Sequence, residues 1–150
     1  MLLDIRERLR LAEELSKGRK DLFWRYFFSE ELLALDKPRP IGVQLLLDRL
    51  SQGLVAIVTG RPERLRHITL RQLKMLGIPV KQIWRLEMRS NNSTRESTHF
   101  KLETILSIYY EGFPIVEVHD DELEVLMAIR RRLPKTKLYL HSGDQVYELR

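Results

Sequence analysis

The spacing of hydrophobic residues predicts a chain in which strands and helices alternate. Short apolar runs predict strands at 21–28, 54–58, 78–84, 114–119 and 136–141. Helical spacing predicts helices at 2–17, 41–52, 62–76, 98–110 and 122–133. The polar or proline-containing segments 29–40 and 87–97 predict connections. Alternation of this kind is typical of a parallel sheet flanked by helices, so we expect a three-layer, Rossmann-like α/β domain at 21–150.

An extra helix is predicted before this domain, in an N-terminal extension at 1–20. Its apolar stripe consists of Leu2, Ile5, Leu9 and Leu15, and Gly18 ends it. The stripe needs a surface to cover. We expect it either to pack on its own domain or to form a homodimer.

The stretch 54–62 carries the most information, because an apolar run ends abruptly at Thr59-Gly60-Arg61-Pro62. A buried parallel strand would deliver a hydroxyl, a glycine and a guanidinium to its carboxyl end, where open α/β sheets place ligands. These groups suit a phosphate. The structural alternative is a strand-to-helix turn that needs Gly60, with Arg61 at the surface.

Two further groups are expected at the same edge of the sheet. Asp120 and Asp121 follow a predicted strand; adjacent carboxylates there commonly hold Mg²⁺, and the alternative is a helix N-cap. Lys101 lies on a predicted helix, where it would neutralise a phosphate or a carboxylate, or be solvated. His119 is expected to be buried or hydrogen-bonded, since none of the histidines has metal-ligand spacing.

Composition and charge narrow the classes of function. The 150 residues contain no cysteine, which excludes disulfides and thiolate sites. No apolar run is long enough for a membrane span, and we expect a cytoplasmic protein. The two asparagines beside many charged residues are typical of thermophile proteins. The net charge of +5 includes basic clusters at 6–10, 17–20 and 130–137, which are either nucleic-acid contacts or solvated helix faces.

The order of the motifs resembles that of the haloacid dehalogenase (HAD) superfamily. Thr59-Gly60-Arg61-Pro62, then Lys101, then Asp120-Asp121 is similar to its motifs II, III and IV. The resemblance is closest to small phosphatases without a cap and to the phosphatase domain of polynucleotide kinases, and it covers about residues 21–145. It implies that Thr59, Gly60, Arg61 and Lys101 bind phosphate and that Asp120 and Asp121 hold Mg²⁺.

The first motif of that superfamily is missing. Its members begin with a strand ending in Asp-x-Asp, whose first Asp attacks phosphorus and whose second is the general acid/base. The downstream register puts Phe27 and Ser29 at these positions and Glu31 at a following Thr position. Phenylalanine can neither attack phosphorus nor bind Mg²⁺, and serine has no useful pKa for acid/base work. We therefore expect no catalytic residue there and a weak or absent Mg²⁺ site.

Three functions follow from these observations. The first is a HAD-like protein without catalysis that binds a phosphorylated ligand or a partner. The second is an active Mg²⁺-dependent phosphatase with a displaced nucleophile such as Asp36, acting on a phosphomonoester such as a nucleic-acid 3′-phosphate. The third is a nucleic-acid-binding or interaction protein that uses the basic clusters. The first and third are compatible, and the sequence favours the first.

Overall fold

A computed structural model describes residues 25–33 and 39–150, and these form one sheet with helices on both faces. The strands are β1 (Arg25–Ser29), β2 (Leu54–Pro62), β3 (Arg85–Arg89), β4 (Glu117–Asp120), β5 (Lys137–Ser142) and β6 (Gln145–Leu149). The helices are α1 (Pro40–Leu50), α2 (Arg66–Met75), α3 (Ser97–Tyr110) and α4 (Leu123–Arg132). Short 3₁₀ turns occupy Glu30–Leu33, Glu63–Leu65 and Val80–Gln82.

The sheet has six strands in the order β3-β2-β1-β4-β5-β6. The first five are parallel, and β6 pairs antiparallel with β5. The predicted α/β class is therefore confirmed. Because parallel strands all end at one edge of a sheet, the residues after β1, β2 and β4 come together there.

Successive side chains on the central strands face opposite sides of the sheet, which creates two cores. Tyr26 and Phe28 of β1 pack on the side of α1 and α2, with Leu46 and Leu73 of those helices. Phe27 instead lies in the core beneath α3 and α4. The near-continuous apolar character of β1 and β2 follows from burial on both faces.

The predicted strand at 78–84 is wrong. This segment is a connection with a 3₁₀ turn at Val80–Gln82, and the strand is β3 at Arg85–Arg89, which overlaps the start of the segment predicted as a loop at 87–97. Pro79 has no N–H to donate to a ladder, and the buried Ile78 anchors the connection in the core. At the edge of the sheet, β3 needs fewer apolar residues than a central strand, so its sequence looks polar.

Other boundaries also differ from the prediction. β2 continues to Pro62, because Pro62 still pairs with Arg89 of β3, and α2 begins only at Arg66. The final strand β6 was not predicted; it follows a tight turn at Gly143, whose φ is 58°.

The predicted helix at 2–17 and extension at 1–20 lie outside the described residues. None of the described helices combines the length and apolar character of a membrane span.

Candidate functional site

A buried ammonium group lies at the centre of the carboxyl edge of the sheet. Lys101 of α3 is 1% exposed, and its Nζ lies 3.0 Å from Ser29 Oγ and 3.1 Å from Glu31 Oε2. The same Nζ lies 3.0 Å from Glu122 Oε1 and 3.5 Å from Asp120 Oδ2. Helix α3 thus joins the ends of β1 and β4, and we call these five residues the Lys101 cluster.

All three hydrogen-bond donors of the ammonium are used inside this cluster. An ammonium donates three hydrogen bonds, and Ser29, Glu31 and Glu122 accept them at 3.0–3.1 Å. Burial lowers the pKa of Lys101, but Asp120 and Glu31 outweigh this effect and hold its pKa above the ordinary value. Lys101 is therefore charged at neutral pH and fully partnered by the protein.

The carboxylates of the cluster outnumber its cation. Burial opposes ionisation of Glu31, yet Lys101 and the Ser29 hydroxyl, which donates to Glu31, hold the pKa of Glu31 below its usual value. Burial raises the pKa of Asp120 to about 8, and the neighbouring Asp121 adds to this while Lys101 opposes it. The site is therefore acidic and takes up a proton at Asp120 when no other cation balances it.

Three consecutive carboxylates could hold a metal ion. Asp120, Asp121 and Glu122 each offer an oxygen within 4.8 Å of the others. Asp121 Oδ1 is buried and has no hydrogen-bond partner among the residues that the structure describes, whereas Asp120 Oδ1 accepts the Glu122 backbone N–H at 2.9 Å. This oxygen set is one that Mg²⁺ accepts.

The last residues of β2 are next to the cluster, but their side chains make other contacts. Thr59 is fully buried, and its Oγ1 accepts the Arg61 backbone N–H at 3.1 Å. A Cβ placed on Gly60 would lie 2.3 Å from Ser97 Oγ, so the β2 loop and the start of α3 are in close contact. The structure therefore brings Gly60 and Lys101 to the same edge of the sheet.

The guanidinium of Arg61 points toward α2. Its Nε is 2.7 Å from Glu30 Oε1, and its Nη1 donates to Thr69 and Gln72. The guanidinium of Arg61 is thus engaged by Glu30, Thr69 and Gln72 rather than by a residue of the Lys101 cluster.

Phe27 and Ser29, which the sequence analysis places at the two Asp positions, have different surroundings. Phe27 is 1% exposed in the apolar core under α3 and α4. Ser29 lies two residues further along the same face of β1 and reaches Lys101. Sequence analysis missed Glu31 and Glu122 as partners of Lys101; the only local signal was that each follows the end of a strand.

A second buried polar cluster lies on the α1 side of β4. Glu117 Oε2 accepts from Arg49 Nε at 2.7 Å and lies 2.9 Å from His119 Nε2, and His119 Nδ1 lies 3.0 Å from His141 Nε2. The His119 ring stacks on Phe28 on one side, at 4.1 Å between centroids. The prediction that His119 is buried and hydrogen-bonded is confirmed.

Comparisons with known proteins point to the fold alone. No protein-family model and no curated protein matches the sequence. The structure is similar to a chain of the Pnkp1/Rnl/Hen1 RNA repair complex, with a TM-score of 0.67 over 83% of this chain at 20% identity. A second structure of the Pnkp1/Rnl/Hen1 complex gives a TM-score of 0.65, also at 20% identity and over 83% of this chain. The chain spans 44% and 47% of those two chains, so it corresponds to less than half of each.

Proposed function

We propose that this chain is a HAD-like domain that has lost the phosphatase nucleophile and serves as a non-catalytic binding module in an RNA-repair assembly. The observation that carries the proposal is the closed Lys101 cluster. A phosphatase lysine must offer donors to a phosphate, yet all three donors of Lys101 are bound to Ser29, Glu31 and Glu122. A phosphate would have to displace these partners and would face an excess of carboxylates.

The contacts of Lys101 support a revised register for the missing motif. Ser29 and Glu31 have the spacing of Asp-x-Asp, and both reach Lys101, whereas Phe27 does not. In this register a hydroxyl stands at the position of the nucleophile. Glu31, with its lowered pKa, is a poor base for activating that hydroxyl. The revised register therefore leaves the site without a competent nucleophile.

Weak Mg²⁺ binding is part of the proposal. Asp120 and Asp121 would supply the oxygen ligands, and the unpartnered Asp121 Oδ1 fits that role. The family pattern would add a carboxylate at the position of Ser29, which offers only a hydroxyl. Mg²⁺ would supply positive charge for a bound phosphate. Without Mg²⁺, the carboxylates around Lys101 would repel a phosphate.

The link to RNA repair comes from the structural neighbours. Their names describe an RNA repair complex of several proteins, and the similarity to one chain of it covers 83% of the present chain. A HAD-like domain without its nucleophile would act there by contact with RNA or with a partner protein. The +5 net charge is consistent with RNA contact.

Hydrolysis assays test the loss of catalysis. We expect the protein to hydrolyse an aryl phosphate and a 3′-phosphorylated RNA no faster with Mg²⁺ than with EDTA. The rate should equal that of the Asp120→Asn/Asp121→Asn double variant. Mg²⁺-dependent turnover that disappears in this variant would contradict the proposal. It would instead support an active phosphatase, with Asp36→Asn and Ser29→Ala as tests of the nucleophile.

A matched pair of variants tests the revised register without relying on activity. Ser29→Asp adds the carboxylate that the family pattern calls for, and Ser29→Asn adds nearly the same volume without charge. We expect Mg²⁺ to raise the Tm of Ser29→Asp more than that of Ser29→Asn or of the unchanged protein. Equal Mg²⁺ effects on all three proteins would argue against Ser29 at the nucleophile position.

Phosphate binding by Thr59, Gly60, Arg61 and Lys101 stays a prediction. Calorimetric titration with inorganic phosphate, with and without Mg²⁺, measures it directly. The close packing of Gly60 on Ser97 and the contacts of Arg61 with α2 favour weak binding.

A further inference from the structure

The exposed face of α2 carries a row of cationic positions. Arg64, in the turn before the helix, and His67, Arg71 and Lys74 are all exposed. Spacings of three and four residues put them on one side of a helix, about 5–6 Å apart. From Arg64 to Lys74 the row is roughly 15 Å long. We call these four residues the α2 row.

The Arg and Lys residues of the α2 row have no acidic partner in the described part of the chain. No acidic side chain there forms an ion pair with Arg64, Arg71 or Lys74, whereas Glu63 is bound to Arg66. The segment 63–89 contains seven Lys and Arg residues against two Glu residues. Elsewhere in the described part of the chain, arginines such as Arg49 and Arg95 have carboxylate partners.

The first cation of the α2 row lies at a position that is unfavourable for the helix itself. The amino end of a helix has a partial positive charge, which disfavours a cation by roughly 0.3–1 kcal/mol. Arg64 lies at that end of α2, and the first turn of the helix contains no acid, whereas Lys74 lies in the last turn, where a cation is favourable. Helix stability therefore does not account for the charge of Arg64.

The basic residues at the end of α4 offer an instructive contrast. Arg130–Arg132 lie in the last turn, where cations stabilise a helix. Arg130 also donates to the carbonyl oxygens of Pro134, Thr136 and Leu149. Arg130 therefore has a structural role, and among the described residues the side chains of Arg64, Arg71 and Lys74 make no comparable hydrogen bond.

The α2 row begins at the carboxyl edge of the sheet. Helix α2 follows the carboxyl end of β2, and the Arg64 backbone N–H donates to Asn91 Oδ1 at 2.7 Å, which fixes the turn before the helix. Arg89, at the end of β3, lies at the same edge of the sheet. A chain of phosphates along α2 would therefore run toward the carboxyl edge.

We propose that the α2 row binds the sugar-phosphate backbone of RNA without reading its sequence. Repeated, unpaired cations along one line are the arrangement that contacts successive phosphates. The row contains no aromatic side chain that would stack on bases. Its apolar side is already used, since Leu73 and Thr69 are buried in the domain, which disfavours insertion into a membrane. The inference names a ligand for the proposed binding module but depends on the α2 surface rather than on the Lys101 cluster.

RNA binding by two charge-matched variants tests this proposal. One is Arg64→Gln/Arg71→Gln/Lys74→Gln, and the other is Arg131→Gln/Arg132→Gln/Lys135→Gln, which removes the same charge from the end of α4. Fluorescence anisotropy with a labelled RNA of about 20 nucleotides, single-stranded and duplex, gives affinities between about 50 and 200 mM KCl. Thermal melts of both variants verify that they fold.

We expect the α2 variant to lose at least about tenfold in affinity. The slope of log K against log salt should become shallower by about 2, because each lost phosphate contact contributes about 0.7–0.9. The α4 variant should stay within about threefold of the unchanged protein. Equal losses in both variants, no loss in either, or binding to anionic lipid vesicles without binding to RNA would overturn the proposal. The RNA-binding experiment does not measure hydrolysis. A negative result would therefore reject RNA binding by the α2 row without contradicting the proposed loss of catalysis.

Discussion

Strand β4 supplies residues to two buried ionisable clusters that differ in charge balance rather than in burial. Asp120 joins the Lys101 cluster on the α3 side, and Glu117 and His119 join Arg49 and His141 on the α1 side. Around Glu117 one anion meets one cation and two histidines whose pKa values burial lowers. Around Lys101 one cation meets four carboxylates, counting Asp121.

This difference separates a network whose charges balance one another from a cluster whose charges do not. The charges of Glu117 and Arg49 balance, and both ring nitrogens of His119 have a partner, so this network needs no further ligand. The Lys101 cluster has excess negative charge and the unpartnered Asp121 Oδ1. Burial and hydrogen bonding alone would not distinguish them.

The largest expected effect comes from removing the cation of the Lys101 cluster. Lys101→Met should lower the free energy of unfolding by about 3–5 kcal/mol, because it leaves buried carboxylates without a partner. Urea denaturation measures this loss. Arg95→Met is the matched control, since its ion pair with Glu103 is exposed and should contribute less than about 1 kcal/mol. Equal losses would mean that Lys101 does not hold the cluster together.

A smaller effect is expected in the neutral network. Glu117→Gln keeps the shape of the side chain but removes the charge that Arg49 and His119 share, and we expect a loss of about 1–3 kcal/mol. The double variant with Arg49→Gln should be less destabilised than the sum of the single variants, because the two residues form one pair. Additive losses in a denaturation cycle would argue against that coupling.

The two clusters should respond to pH in opposite directions. Burial lowers the pKa of His141 to about 4, below its unfolded value near 6.5, so its neutral form stabilises the fold and this contribution is lost as pH falls from about 6.5 toward 4. His119 and Arg39 add to the shift. The raised pKa of Asp120 has the reverse sign, since its contribution is present near pH 4 and is lost as pH rises toward 8.

Two substitutions separate these pH effects. Asp120→Asn should remove a decline in stability between pH 6 and 8, and His141→Gln should remove a decline below pH 6.5. Each slope should be at most about 1.4 kcal/mol per pH unit, the value for one proton. Denaturant unfolding at successive pH values measures both. A parallel pH profile for Asp120→Asn and the unchanged protein would refute the raised pKa.

The smallest expected effect is at Ser29. Ser29→Ala removes one of the hydrogen-bond acceptors of Lys101 but no charge, and should cost about 1 kcal/mol. The same denaturation assay measures it. A loss as large as that of Lys101→Met would mean that the hydroxyl, rather than the carboxylates, dominates the cluster.

Local pattern was enough to predict much of the fold. The apolar runs that end at Thr59 and His119 predicted central strands, because burial on both faces requires continuous apolar residues. The edge strand β3 and the hairpin strand β6 escaped prediction because neither is covered on both sides and their sequences are largely polar. Pro79 was the missed signal against a strand at 78–84.

The candidate site, like the fold, could be predicted only in part from the sequence. The sequence by itself determined that Gly60, Lys101 and Asp120 would meet, because the ends of parallel strands share an edge. Only the tertiary structure decided the partners of Lys101, since Ser29 and Glu122 are 72 and 21 residues away in sequence. It also decided that Arg61 faces α2. The direction of a side chain depends on packing against distant elements, and local sequence pattern does not encode that packing.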